Sequence, residues 1–276
     1  MQERYGHHPS EVKAMTTEGL REAFAIPRLF DGPDFNFVYS HYDRMIIGGV
    51  SPAEGPVTLP IYNQLKADYF LQRREMGIIN IGGAGAVTAD GIRYDMDKRD
   101  CLYLGKGIQN ILFESKESSN PAKFYLLSAP AHQAYPATLM KSADATPAAL
   151  GAVETSNQRT IYKYIHEGGI KSCQLVMGLT VLNEGSVWNT MPPHTHNRRM
   201  EVYLYFDVKG NQSIFHFMGE PQQTRHLVLG NEDVVISPPW SIHAGCGTAS
   251  YSFIWGMAGE NQSFADMDGI EINNLR

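Results

Sequence analysis

Short apolar runs of four to ten residues, each closed by Gly, Pro, Asn or Asp, recur along most of the chain and predict strands. A first series comprises MIIGG (45–49), GIINI (77–81), CLYL (101–104) and FYLL (124–127). A second comprises CQLVMGLTVL (173–182), EVYLYF (201–206), SIFHFM (213–218), DVVIS (233–237) and YSFIW (251–255). The first forty residues form a lead-in, in which Thr17 followed by EGLREAF predicts a capped short helix with Leu20, Ala23 and Phe24 on one face. Between the series, PATLMKSADATPAALGAVETSN (136–157) is rich in Ala, Thr, Ser and Pro and predicts an interdomain connection.

The two series also match each other. MIIGGVSPAEG, ending at Gly55, lies over LVMGLTVLNEG, ending at Gly185. RREMGIINIGGAG, ending at Gly85, lies over RRMEVYLYFDVKG, ending at Gly210, and RDCLYLGKG (99–107) lies over EDVVISPPW (232–240). Three matches in the same order predict an all-β protein with minor helices, built from a duplicated domain. Residues 1–140 form the lead-in and first copy, and residues 157–276 form the second. The strand edges of both copies are expected to be covered by the first forty residues or by neighbouring subunits.

Composition narrows the partners. Hydrophobic residues make up 43% and charged residues 19%, enough for a buried core, and 26 Gly with 15 Pro suit a fold with many turns. A net charge of −6 offers no electrostatic reason to bind nucleic acid or an anionic membrane. The three cysteines, Cys101, Cys173 and Cys246, are widely spaced and form neither a disulfide framework nor a CxxC metal knuckle. The first residues, MQERYGHHPSEVKAM, lack the apolar stretch of a signal peptide, and no window approaches the ~18–20 apolar residues of a membrane span. The expected compartment is a reducing cytoplasm.

The chemistry concentrates in WNTMPPHTHNRRMEVYLYF (188–206) and SPPWSIH (237–243). His194 and His196 are two residues apart, so on a strand both imidazoles face the same side. Glu201 follows five residues after His196, and a tight turn through Asn197–Arg199 returns it as the first residue of the next strand. His243 follows the turn-forming Pro238, Pro239 and Trp240. Two histidines, a carboxylate and a distant third histidine make a divalent-metal set suited to Zn, Fe, Mn, Ni or Co. By strand alternation Tyr203 and Tyr205 share the face of Glu201, either as core aromatics or as hydrogen-bonding groups toward a substrate. Arg198 and Arg199 are read as facing solvent. His7, His8, His41, His132, His166, His216 and His226 lack ligand spacing and are read as surface or core residues. Under the repeat alignment His194, His196, Glu201 and His243 fall on Tyr69, Leu71, Met76 and Asn110, so the first copy is expected to be metal-free.

These residues resemble the cupin superfamily, whose metal motif is HxH, a few residues, then Glu, with a later His after a proline-containing turn. The resemblance implies a jelly-roll β-barrel in each copy, a bicupin with one working site. Trp240 departs from the pattern, standing where cupins often have Gly, and is expected to direct its ring toward the cavity mouth. Over nearly the whole chain the sequence is similar to the 4-deoxy-L-threo-5-hexosulose-uronate ketol-isomerase family of bacterial pectin breakdown. The similarity runs through YSHYDRMIIGG (39–49), FLQRREMGIINIGGAG (70–85), GLTVLNEGSVWNTMPPHTHNRRMEVYLYF (178–206), RHLVLGNEDVVISPPWSIH (225–243) and FIWGMAGENQSFADMD (253–268).

The resemblance implies an oligomeric cytoplasmic enzyme, a homohexamer, with one Zn2+ per chain on His194, His196, Glu201 and His243. Its reaction would convert 5-dehydro-4-deoxy-D-glucuronate to 3-deoxy-D-glycero-2,5-hexodiulosonate through an enediol. Glu201, Tyr203, Tyr205 and Lys163 are the candidate proton-transfer groups. Arg198 or Arg225 would suit the substrate carboxylate, and Trp240 would sit against the sugar. Two rival classes share the metal motif: a metal dioxygenase, and a non-enzymatic sugar-binding cupin in which Trp188 and Trp240 stack on a ring.

Overall fold

Runs of β-branched and aromatic residues become strands in the computed structural model, which describes residues 1–260, 263 and 265–276. Residues 261, 262 and 264, within the 253–268 stretch that carries part of the resemblance, lie outside the described residues. The chain divides into two units. One comprises Met1–Glu3, Leu29–Thr146 and Lys163–Met177; the other comprises Arg4–Arg28, Pro147–Tyr162 and Gly178–Arg276. Relative to the division read from sequence, most of the lead-in belongs to the second unit and residues 163–177 belong to the first.

The large sheet of the first unit contains, in spatial order, Asn36–Ser40, Ile46–Val50, Phe124–Pro130, Arg74–Asn80, Cys101–Leu104 and Thr138–Met140. Its companion is a four-stranded sheet ordered Val57–Thr58, Ile111–Ser115, Gly85–Ala89 and Ile92–Met96. Phe37, Phe70, Ile78, Leu102, Phe113 and Phe124 belong to one buried cluster of this unit. The plan recurs in a second large sheet with Arg159–Ile165, Val176–Leu182, Ser252–Gly259, Arg199–Phe206 and Val234–Ser237, and in a second four-stranded sheet of Trp188–Asn189, Ala244–Gly247, Ile214–Glu220 and Gln223–Leu229. In neither unit do the ladders close into a ring among the described residues. Each copy is an open two-sheet jelly roll rather than a hydrogen-bonded barrel.

Register supports the repeat alignment residue by residue. Glu201 pairs with Ser237 at the end of its neighbouring strand, and Met76 pairs with Leu104 at the same place in the first unit. The lead-in also does what its apolar face suggests: Leu20, Ala23 and Phe24 are buried, and Ala25–Ile26 pairs with Val235 and Val234 at the edge of the second unit's large sheet. The helix cap is Thr16, not Thr17, because the Thr16 hydroxyl accepts from Gly19 N at 3.1 Å. The connection at 136–157 is not featureless either, since it contributes the short strands Thr138–Met140 and Ala148–Leu150.

Two local features of the first unit explain conformations that apolar patterning missed. The hairpin joining Gly85–Ala89 to Ile92–Met96 turns on Asp90 and Gly91, with φ of 45° and 84°, the backbone signs of a two-residue Asp-Gly turn. Ile92–Met96 is mostly exposed, so its alternation lacks a strong apolar signature. At Gly77 a Cβ would lie 2.7 Å from the Met177 sulfur and 2.8 Å from Ile165 Cδ1, so any larger residue would have to push these side-chain ends aside.

Glu75, fully buried, is the first unit's most heavily committed carboxylate. It accepts the backbone N–H groups of Cys173, Gln174 and Leu175 at 2.7–2.9 Å and the Tyr103 hydroxyl at 2.8 Å. Removing it leaves those buried donors unanswered. Glu75→Ala is therefore expected to lower unfolding free energy by about 3–5 kcal/mol, read as a loss in denaturant midpoint. A change below about 0.5 kcal/mol would contradict this role.

Candidate metal centre

The second unit brings His194, His196, Glu201 and His243 together, with one ligand atom of each within 4.8 Å of all the others. His194 lies on the two-residue strand His194–Thr195, held by pairing of His194 with Gly269. After His196 the chain turns at Asn197 and Arg198, and Arg199 N bonds back to His196 O at 3.3 Å. The next strand thus begins at Arg199, which makes Glu201 its third residue rather than its first. His243 is delivered by the Pro238 turn, closed by a 3.0 Å bond from Ser241 N to Pro238 O. The Ser241 hydroxyl in turn accepts from Gly219 N at 2.9 Å.

The donor atoms converge too closely for hydrogen bonding alone to satisfy them. His243 Nε2 is 2.9 Å from both His194 Nε2 and Glu201 Oε2, and His196 Nε2 is 3.0 Å from the same oxygen. His196 Nδ1 faces the Arg199 carbonyl at 2.9 Å, which accepts only, so Nδ1 carries a proton and Nε2 is left as the coordinating nitrogen. A single N–H on His243 can serve one of its two neighbours. A cation at the centre serves all four groups at once; in a tetrahedral zinc site with ligand bonds near 2.0–2.1 Å, the ligand atoms would stand about 3.3 Å apart. The buried His3Glu set could therefore hold a metal ion.

Protonation follows from burial and from these contacts. Burial first, and then the adjacent His243, push the His194 imidazole down to about 3, so it is neutral at physiological pH. For Glu201, burial acts to raise the carboxyl, but His243 and His196 beside it outweigh burial and hold it below the ordinary carboxylate range. His196 moves upward, because its bond to Glu201 overcomes the effect of burial.

Beside the donors lies a cavity of about 330 Å³, bounded by Thr180, Thr190, Met191, Pro192, Phe253, Trp255 and Met257 as well as His194 and Glu201. That volume is at the low end of small-molecule sites. Tyr203 lines it, with its hydroxyl 3.1 Å from Thr190 Oγ1, and burial beside Glu201 raises the phenol well above its ordinary value. Tyr205, two residues on, points into the protein instead: its hydroxyl is 2.7 Å from His216 Nδ1 and it does not line the cavity. His216, read from sequence as a surface or core residue, is wholly buried there, and burial pushes it down to about 3.

The other sequence-selected residues are not brought to the cavity. Lys163 belongs to the other unit's segment, and Arg198 is exposed on the turn. Arg225 donates to the Val12, Lys13 and Met15 carbonyls at 2.8–3.3 Å, fastening the lead-in. Neither Trp240, half-buried, nor Trp188, stacked on Phe217 at 5.8 Å, is among the residues that line the cavity.

Two guanidiniums do line it: Arg159, which sequence reading passed over, and Arg199, which it read as facing solvent. Alternation could have found Arg199, which shares the face of Glu201, Tyr203 and Tyr205. It is 1% exposed rather than solvent-facing, pairs with Asp266, and donates to Ser263 O at 2.5 Å and to the Met257 sulfur at 3.0 Å. No comparable signal marks Arg159, which follows directly on the stretch read as a connection.

The family model described as KduI/IolB matches residues 43–272. The chain is 54% identical over 276 residues to a 4-deoxy-L-threo-5-hexosulose-uronate ketol-isomerase of Halalkalibacterium halodurans, with all of both chains covered. It is similar in fold to an IolB-like protein of Salmonella typhimurium (TM-score 0.74, 14% identity, 91% of this chain and 97% of that one). It is also similar to an oxalate decarboxylase of Bacillus subtilis with Mn(II) centres (TM-score 0.60, 12% identity, 88% and 77%). At such identities the structural likenesses speak to fold alone, and they agree with the cupin architecture expected from the HxH motif.

Metal-free protein is expected to lose stability as pH falls below about 6.5. His194 and His216 have depressed folded-state values, so between pH 6.5 and about 3 the unfolded chain binds protons that the folded chain refuses. Glu201, also depressed, adds a loss below its ordinary value of 4.5. His196, raised, acts the other way: its contribution is full below 6.5 and fades as pH rises. Between pH 7.5 and 5 the two depressed histidines outweigh the one raised histidine, and the carboxylate adds its loss only at lower pH. The urea midpoint of the stripped protein should be lower at pH 5 than at pH 7.5; an equal or higher midpoint at pH 5 would contradict the assignment. In the same samples, Glu201→Gln should weaken metal binding by at least about 100-fold, since loss of even an outer partner typically costs about 10–100-fold.

Proposed function

This chain belongs to the KduI/IolB family, and we propose that it is a metal-dependent ketol-isomerase acting on 4-deoxy-L-threo-5-hexosulose-uronate in uronate breakdown. The reaction would convert 5-dehydro-4-deoxy-D-glucuronate to 3-deoxy-D-glycero-2,5-hexodiulosonate. What carries the reading is 54% identity, end to end, to an enzyme of that activity. The His3Glu cluster gives it a chemistry, because polarising a carbonyl beside a hydroxyl-bearing carbon is work for a divalent ion.

In the aldose form of the substrate, carbon 1 is an aldehyde and carbon 2 bears a hydroxyl. A proton leaves carbon 2, the carbon 1 oxygen gains one, and the resulting enediol collapses with proton return to carbon 1 and loss of the carbon 2 hydroxyl proton. A divalent ion held by His194, His196, Glu201 and His243 would supply Lewis-acid stabilisation for the growing negative charge on oxygen.

The chain's own residues account for the rest. Glu201 is the only carboxylate among the described residues lining the cavity, so we assign it to carry the proton between carbons 2 and 1, a role that requires one of its oxygens to be released from the ion. Tyr203, kept as a neutral phenol and oriented by Thr190, donates a hydrogen bond to the oxygen where charge develops. Phe253, Trp255 and Met257 wall the cavity with apolar surface, which limits loss of the mobile proton to water. Tyr205 is set behind this layer, bonded to His216, and serves to fix the wall.

Zinc is the ion we assign, because three imidazoles and one carboxylate match its preference for N and O donors. Assembly as a homohexamer rests on the family resemblance. A cytoplasmic location is supported by three free cysteines, which suit a reducing compartment. No described helix is long and apolar enough to cross a membrane.

Turnover of the deoxyketouronate in anaerobic buffer by the metal-loaded protein tests the reading, and His243→Ala should lose metal and turnover together. A wild type that holds metal but leaves this substrate unchanged would overturn the substrate assignment, and strict dependence on oxygen would favour a dioxygenase. Tyr203→Phe should retain its metal and lose about 100-fold in kcat, within the usual range for a positioned acid. Unchanged kcat would remove Tyr203 from the chemistry.

A further inference from the structure

The cavity's two guanidiniums are in opposite electrostatic situations. Arg199 is neutralised by Asp266 and has its Nη1 and Nε donors engaged by Asp266, the Ser263 carbonyl and the Met257 sulfur. Arg159 makes one hydrogen bond, from Nη1 to the Asn157 carbonyl at 2.9 Å, and has no acidic partner among the described residues. It is half-buried on the cavity wall, within electrostatic reach of the Tyr203 hydroxyl. Burial acts to lower its basicity, which a guanidinium tolerates without losing its charge. An unpaired cation partly withdrawn from water, on the wall of the cavity that His194 and Glu201 also line, is a receptor for an incoming anion.

We propose that Arg159 is the residue that binds the substrate's carboxylate and so selects uronates over neutral sugars at this site. The inference rests on the isomerase reading above and names the group that recognises the acidic end of the substrate. A hexuronate carries its carboxylate at carbon 6, at the opposite end from the carbons that exchange the proton. It therefore needs a cation set apart from the metal ligands but on the same cavity, and Arg159 meets that requirement. The planar fork of Arg suits both carboxylate oxygens; Nη1 is oriented by Asn157 O, while Nη2 and Nε have no partner among the described residues. Arg159 begins the strand Arg159–Ile165 and pairs with Leu150, so its backbone is fixed by the sheet before any ligand arrives.

Arg159→Met and Arg159→Lys test this in metal-loaded protein, with metal content and thermal midpoint measured alongside. Arg159→Met is expected to raise KM for the deoxyketouronate at least tenfold with a smaller effect on kcat, and Arg159→Lys to recover part of the loss. Unchanged KM in a wild-type-like Arg159→Met protein overturns the proposal. A second readout does not depend on turnover: Trp255 lines the same cavity, so its fluorescence reports occupancy during titration with D-glucuronate or with neutral D-glucose. Wild type should bind the glucuronate at least tenfold more tightly than the glucose, and Arg159→Met should lose that preference. Equal affinities in the wild type, or a preference that survives in Arg159→Met, also overturn it. If the wild type fails to isomerise the deoxyketouronate but shows the Arg159-dependent preference, the isomerase reading falls while the anion site stands.

Discussion

Three imidazoles and a carboxylate forced to within hydrogen-bonding distance in a buried site are the constraint around which the second unit is organised. Burying such groups separately would be costly, and their mutual contacts leave lone pairs facing lone pairs unless a proton or a cation stands between them. The surrounding structure is arranged to hold this geometry. The Asn197–Arg198 turn fixes His196 through Arg199 O, the Pro238 turn delivers His243, and the central strand Arg199–Phe206 presents Glu201 and Tyr203 on one face. Depressed His194 and Glu201 values keep those two ligands in the forms that coordinate.

Duplication shows how much of this belongs to the scaffold and how much to the site. The first unit has the same strand order and the same register, with Met76 where Glu201 stands in the second. With apolar Met76 and Leu71 at two ligand positions, both fully buried, it keeps a packed interior there. Its neighbouring residue Glu75 supports a backbone turn instead of a metal. One architecture therefore serves two ends, and four side chains separate them.

The sequence made the apolar central strands legible because burial on both faces leaves continuous apolar runs, as in CLYL and EVYLYF. The ligand set was legible because HxH, the Glu offset and the proline turn are local spacings that a strand converts directly into geometry. Exposed strands such as Ile92–Met96 were not, since only one face is apolar and the run is short. Arg198 and Arg225 looked like substrate cations because charge and proximity in sequence say nothing about which way a side chain points. Arg199, one residue from Arg198, was recoverable from alternation with Glu201. Arg159 was not, because its place on the cavity depends on sheet pairing with Leu150 and on no motif of its own. Trp240 followed the same rule: it lies three residues before His243, yet it is not among the residues that line the cavity.

The most direct measurement is a titration of metal-stripped protein with zinc, following bound metal and anaerobic turnover of the deoxyketouronate in the same samples. If the buried His3Glu set holds the ion that the reaction needs, turnover rises in proportion to bound metal and stops rising at one ion per chain. Full turnover by the stripped protein, or saturation of binding at one ion per chain with no turnover, would contradict it.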